Sequence, residues 1–118
     1  IGAPEATPRG IDGISFAPTL LGRTQPERPF LYRESPGYDG QQSVRVGKWK
    51  AIRTNLHPRP RTANKQPGAI ELYDLSADPG ETRNVADDHP AVVAQLAAIL
   101  REQHVPSKLW PIRALDTP

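Results

Sequence analysis

The 118-residue chain contains no cysteine and no methionine. Without Cys there can be no disulfide, no thiolate metal ligand and no Cys nucleophile, and cysteine usage says nothing of the redox compartment. With no Met and an opening of Ile1-Gly2-Ala3-Pro4, the sequence reads as a piece of a longer protein. Long hydrophobic runs are also missing: nothing approaches the roughly 20 apolar residues of a membrane span, and Ile1 to Gly10 lack the basic start and apolar run of a signal peptide. Neither a membrane nor a nucleic acid is the expected partner. Aromatics are few, and only Tyr38 and Trp49 lie near the basic part of the chain, a thin platform for base stacking.

What the chain has in quantity is proline, 14 residues, with 9 glycines. Its length allows one domain with a single modest core. Net charge is only +2, but the distribution is uneven. Between Gly40 and Ile70 lie Arg45, Lys48, Lys50, Arg53, Arg59, Arg61 and Lys65 with no acid, while the remaining 8 basic and 13 acidic residues leave the rest of the chain at −5. The middle of the chain therefore faces either an anion or an acidic neighbour.

The elements follow from periodicity and punctuation. Residues 1–10, rich in Pro, Gly and small side chains, read as an arm or linker remnant, and residues 11–118 as one domain. Ile11, Ile14, Phe16, Leu20 and Leu21 form an apolar cluster with a short helical turn beginning near Pro18 and stopped by Gly22, suited to docking on a larger body. Phe30 to Glu34 is a strand, and Ser35 to Gly40 a turn. Ser43–Val46 and Trp49–Arg53 flank Gly47-Lys48, a two-residue hairpin loop. That register places Val46 opposite Trp49 and Val44 opposite Ala51 on one face, with Arg45 opposite Lys50 on the other. Like charges directly opposed are unfavourable, so an acid (Glu34, Glu71 and Asp74 are the local candidates) or a bound anion should sit between them. Leu56 to Gly68 reads as a long exposed basic loop and Ala69 to Leu75 as a further strand. Asp88 is the expected N-cap of a helix carrying Val92, Val93, Leu96, Ile99 and Leu100 on one side and ended by Pro106. The tail with Trp110, Ile112 and Leu115 can be ordered only against a surface. The fold class is α+β: a small antiparallel sheet of about four strands with one C-terminal helix packed on a face.

Catalytic constellations are scarce. His57, His89 and His104 include no pair at helical metal-ligand spacing. His89 and His104 suit the ends of the helix, and Asp87-Asp88 suits its capping. Phosphate loops, nucleophile elbows and dinucleotide fingerprints are absent. A polar, glycine-flanked segment ahead of the hairpin can present amides and carboxylates to a ligand. Glu34, Tyr38, Gln41 and Gln42, with Arg45, are the candidate binding residues.

The string from Tyr38 to Arg53, containing Arg45-Val46-Gly47-Lys48-Trp49-Lys50, followed by Glu71-Leu72-Tyr73-Asp74-Leu75, Asp78-Pro79-Gly80-Glu81-Thr82, Asn84-Val85-Ala86 and His89-Pro90, resembles the C-terminal subdomain of arylsulfatase-type sulfatases, in particular bacterial carbohydrate sulfatases. Ile11 to Gly22 resembles the segment leading into that subdomain, and the likeness runs to Asp116. The resemblance implies a hydrolase of sulfuric esters that uses formylglycine, made from Cys or Ser in a Cys/Ser-X-Pro-X-Arg motif, together with calcium. It also implies an N-terminal catalytic domain as partner, a sulfated carbohydrate or other sulfate ester as substrate, and a periplasmic or secreted location. None of the five Ser has Pro at +2 and Arg at +4, so the chain itself carries no nucleophile and no catalytic residue or metal ligand is expected in it. The rival readings are a polyanion- or carbohydrate-binding module without chemistry, and a purely structural buttress.

Overall fold

The structure is a computed structural model and describes residues 13–62, 64 and 66–116. The proposed arm 1–10, Ile11 of the lead-in and Lys65 of the basic run lie outside the described residues. Four strands, β1 (Leu31–Ser35), β2 (Gln41–Val46), β3 (Trp49–Arg53) and β4 (Glu71–Asp74), form an antiparallel sheet in the order β1-β2-β3-β4. Around them run α1 (Ala17–Leu20), α2 (Pro90–Gln103) and α3 (Arg113–Asp116). The arrangement is α+β, with α2 packed against β2 and β3 on one face of the sheet.

The β2–β3 register is the one expected from the Gly47-Lys48 turn: Val46 pairs with Trp49, Arg45 with Lys50 and Val44 with Ala51. Gly47 takes φ +55°, the left-handed value that the first position of such a turn requires. Because side chains alternate across a strand, this register fixes two faces. Val44, Ala51 and Leu72 point under α2 and meet Leu96 and Leu100, all of them buried. Val92, Val93 and Ile99 flank that core, so the predicted helical stripe is the packed one.

The like-charged pair Arg45–Lys50 is relieved by an internal acid, but by none of the nominated three acting on it directly. Lys50 Nζ donates to both carboxylate oxygens of Glu81 at 2.7 and 2.6 Å, and Arg45 Nε donates to the Gly47 carbonyl at 3.0 Å. Asp74 instead pairs with Lys48 at 2.6 Å, Glu34 with His104, and Glu71 accepts from the Tyr73 hydroxyl. Glu81 reaches Lys50 because the chain doubles back after β4. Asn84 Oδ1 accepts the Leu72 N–H at 3.0 Å and the Val85 N–H donates to the Leu72 carbonyl at 2.8 Å, a partial cover for an edge strand.

Three other expectations are corrected. The N-cap of α2 is His89, not Asp88, and its side chain makes no capping bond. A tight turn, in which the His89 N–H donates to the Ala86 carbonyl, brings Pro90 to the first helical position. The His89 ring then lies 4.8 Å from that of Trp49, and Asp88 pairs with Arg83 at 3.3 Å. Strand β2 begins at Gln41 rather than Ser43, because Gln41 and Gln42 already pair with Ser35 and Glu34 of β1. The stretch from Leu56 is not exposed throughout: Leu56 is fully buried, and a 3-10 turn spans Pro60–Thr62. Its carbonyl accepts the Ala114 N–H at 2.9 Å, which ties the tail down beside the buried Ile112.

Candidate functional site

The five candidate residues occupy three different environments. Gln42 lies on the covered face and is 1% exposed. Its amide donates to the Leu100 carbonyl at 2.7 Å, one of the last-turn carbonyls that a helix leaves without an internal partner, and to the Tyr32 hydroxyl at 3.0 Å. Tyr32 in turn donates to Glu34 Oε2 at 2.5 Å, and the same oxygen faces His104. His104 Nδ1 lies 2.9 Å from Glu34 and Nε2 lies 3.0 Å from Asp116, whose second oxygen accepts the Ile112 N–H at 2.7 Å. A continuous polar chain therefore runs from the start of β2 through β1 and the end of α2 to α3. Burial pushes the Tyr32 phenol well above its ordinary range, and the Glu34 carboxylate beside it acts in the same direction. Gln42 has no surface to offer a ligand, and its groups hold the end of α2 on the sheet.

Gln41, one residue away, points to the opposite, uncovered face. There it lines a concavity of about 170 Å³ with Arg33, Glu34, Tyr38, Ser43 and Lys50. Arg33 has no hydrogen bond or ion pair among the described residues. Arg45 shares this face but stands at the far end of β2, about 13 Å along the strand from Gln41 at 3.2–3.4 Å per residue. It lines a separate shallow groove with Gln25, Pro26 and Leu31.

Tyr38 is 84% exposed and sits in the turn that joins β1 to β2. Three successive residues there take left-handed backbone, with φ +54° at Tyr38, +66° at Asp39 and +81° at Gly40. Only glycine serves at position 40, since a Cβ there would meet the His57 nitrogen at 2.4 Å. For Tyr38, a bulky residue, the left-handed value is strained, and it is held because the turn is clamped from below. The His57 N–H donates to the Asp39 carbonyl at 2.7 Å and the Leu56 N–H to the Gly40 carbonyl at 3.2 Å. The same clamp brings the basic loop beside the turn. Gly37, Tyr38, Asp39, Arg59, Arg61 and Thr62 enclose a second concavity of about 320 Å³. Arg59 lies 3.9 Å from Asp39.

Arg59, Arg61 and Arg33 were not among the candidate residues. The excess of positive charge in the run was legible, but the contact between turn and loop spans about twenty residues and depends on the buried Leu56. No periodicity reports such a contact. Among the described residues no three His, Asp or Glu side chains converge to hold a metal ion, so the calcium implied by the resemblance finds no ligand set here. No described helix is long and apolar enough to cross a membrane. Phe16, Leu20 and Leu21 around α1, and Leu109 and Trp110 in the tail, are all more than 60% exposed.

No family model matches the chain. It is 34% identical over 86 residues to an N-acetylgalactosamine-6-O-sulfatase of Bacteroides thetaiotaomicron, covering 70% of this chain and 16% of that protein. A choline-sulfatase of Rhizobium meliloti is 28% identical over 106 residues, 89% of this chain and 18% of the relative. Bovine (Bos taurus) arylsulfatase A is 30% identical over 109 residues, 78% of this chain and 21% of the relative. The chain thus spans about a fifth or less of the curated relatives it matches. Among solved structures, one from work on the metabolism of multiple glycosaminoglycans by Bacteroides thetaiotaomicron superposes with a TM-score of 0.58 at 28% identity, over 81% of this chain and 21% of that one. Another, solved in complex with its substrate D-glucosamine-2-N,6-O-disulfate, gives 0.59 at 22% identity over 81% and 20%, a likeness of fold.

Proposed function

Taking as premise that the chain is a relative of the sulfatases and matches part of their length, we propose that it is the C-terminal subdomain of a sulfuric ester hydrolase, non-catalytic in itself, which supports a larger catalytic domain and completes its substrate cleft. The observation that carries the reading is the coverage: 70–89% of this chain aligns with only 16–21% of each curated relative. The rest of such an enzyme supplies formylglycine as nucleophile and calcium to stabilise charge on the sulfuryl group; this sequence lacks the Cys/Ser-X-Pro-X-Arg motif, and its described residues form no metal ligand set. Its own residues bind and orient. The exposed apolar side chains around α1 and in the tail are the surface that meets the catalytic domain, because patches of that kind mark interaction sites. Tyr38 and Gln41 present an aromatic face and an amide to the hydroxyl groups of a sulfated sugar, with Arg33, which has no partner among the described residues, beside them; the Glu34 carboxylate is engaged by Tyr32 and His104. We place the complete enzyme in the periplasm or outside the cell.

The test is sulfate release from a panel of sulfated mono- and disaccharides by the complete protein and by residues 1–118 alone. Release by the complete protein and none by the fragment is the expected result. Turnover by the fragment, or a complete protein inert on every ester, would overturn the reading.

A further inference from the structure

The concavity between the β1–β2 turn and the basic loop is separate from the one lined by Gln41 and Arg33, and Tyr38 is the wall they share. At about 320 Å³ it lies at the lower end of the range for small-ligand sites. Its lining is specific in character. Arg61 has no hydrogen bond or ion pair among the described residues. Arg59 is held only at 3.9 Å from Asp39, at the edge of an ion pair, with its side chain 58% exposed. The Thr62 hydroxyl accepts the Arg59 N–H at 3.0 Å, which fixes the bend that presents both guanidinium groups on one side. The single carboxylate in the wall, Asp39, offsets one of the two positive charges and leaves the other. Opposite the arginines stands an exposed tyrosine held in strained backbone by the Leu56–His57 clamp, a conformation that costs stability and that the surroundings nonetheless enforce.

Resting on the reading of the chain as a sulfatase subdomain, we propose that this second concavity binds a sulfate group other than the one hydrolysed, on a neighbouring sugar or at another position of the same sugar, so that the substrate class is a multiply sulfated saccharide. The planar guanidinium fork matches the oxygen edge of a sulfate ester, as it does carboxylate and phosphate. Tyr38 supplies a flat apolar face for the sugar ring and joins this position to the first concavity. A singly sulfated substrate engages only one side of Tyr38, whereas a multiply sulfated one engages both.

The experiment uses the complete protein with two substrates that share the scissile ester, one of them bearing a second sulfate. Arg61→Gln is expected to raise KM for the disulfated saccharide about tenfold, the loss of one charge-assisted contact, with kcat and the KM for the monosulfated one unchanged. Arg23→Gln, the same charge change at an exposed residue outside both concavities, should leave the ratio of the two KM values as it was. Equal effects of Arg61→Gln on both substrates, or none on either, would overturn the second site. Binding of the disulfated saccharide, measured by calorimetry on wild type and Arg61→Gln, reads the site without turnover. If no ester is cleaved but this binding is weakened about tenfold by the substitution, the sulfatase reading fails and the anion site stands; if binding is unaffected, the site itself fails.

Discussion

The two faces of the sheet are made from alternate residues of the same strands and have opposite characters. Under α2, polar side chains exist only where every group finds a partner: Gln42, Tyr32, Glu34, His104 and Asp116 form one chain of bonds, and no buried side-chain polar atom among the described residues lacks a partner. On the uncovered side and at its rim, Arg33 and Arg61 have no partner among the described residues and Tyr38 is held in strained backbone. The difference separates stability from recognition. Burial makes an unsatisfied polar group costly, so the covered face completes its bonds internally. Solvent makes an unpaired arginine cheap, so the open face can keep charges for a ligand.

The sharpest way to break this contrast is to remove its innermost polar member. Gln42→Ala strands the Leu100 carbonyl and one partner of Tyr32 in a buried site, and is expected to cost about 1–3 kcal/mol in denaturant unfolding. KM in the complete protein should stay unchanged; a KM effect with unaltered stability would put Gln42 in the cleft instead. Tyr38→Asn, on the other side, is expected to change the opposite quantities. Asn tolerates left-handed backbone, so the variant should gain up to about 1 kcal/mol of stability while KM for a sulfated saccharide rises. Lower stability together with unchanged KM would make the tyrosine a packing residue.

The smallest effect is in the pH limits. Hydrogen bonding to Lys48 brings the Asp74 carboxyl down from 3.8 to about 2, and the bond to Glu71 raises the Tyr73 phenol from 10.0 to about 12. A lowered folded-state value means that the stabilisation from Asp74 is present above pH 3.8 and lost as pH falls towards about 2. A raised one means that the contribution of Tyr73 is complete below pH 10.0 and lost as pH rises towards about 12. Melting temperatures across both ranges should show the acid limb flattened by Lys48→Ala and the alkaline limb flattened by Tyr73→Phe. Limbs identical to wild type would show that these bonds do not persist in solution.

Much of the fold was legible because it depends on local chemistry. Gly47-Lys48 set the hairpin register, and with it which of Val44, Arg45 and Val46 face the core. The spacing from Val92 to Leu100 set the buried side of α2. The N-cap was misread because Asp88 is a good capping residue in isolation, but the Ala86–His89 turn and the Trp49 ring moved the boundary by one residue. The internal acid was foreseen in kind but not in place, since Glu81 reaches Lys50 only after the chain has doubled back past β4.

The site was less legible, and Gln41 and Gln42 show why. They are identical neighbours in the sequence, and composition treats them alike. Once β2 begins at Gln41, the two-residue period of a strand sends one to the open concavity and the other beneath α2. By itself the sequence determined the hairpin, the helix, the uneven charge and the absence of cysteine and of a Cys/Ser-X-Pro-X-Arg motif, all of which are properties of composition or of adjacent or periodically spaced residues. Tertiary structure alone decided that Arg59 and Arg61 stand across from Tyr38, and that His104 joins Glu34 to Asp116. Those pairings cross gaps of about 20, 70 and 12 residues, and they form only because Leu56, Leu100 and Ile112 are buried together with the backbone that carries them.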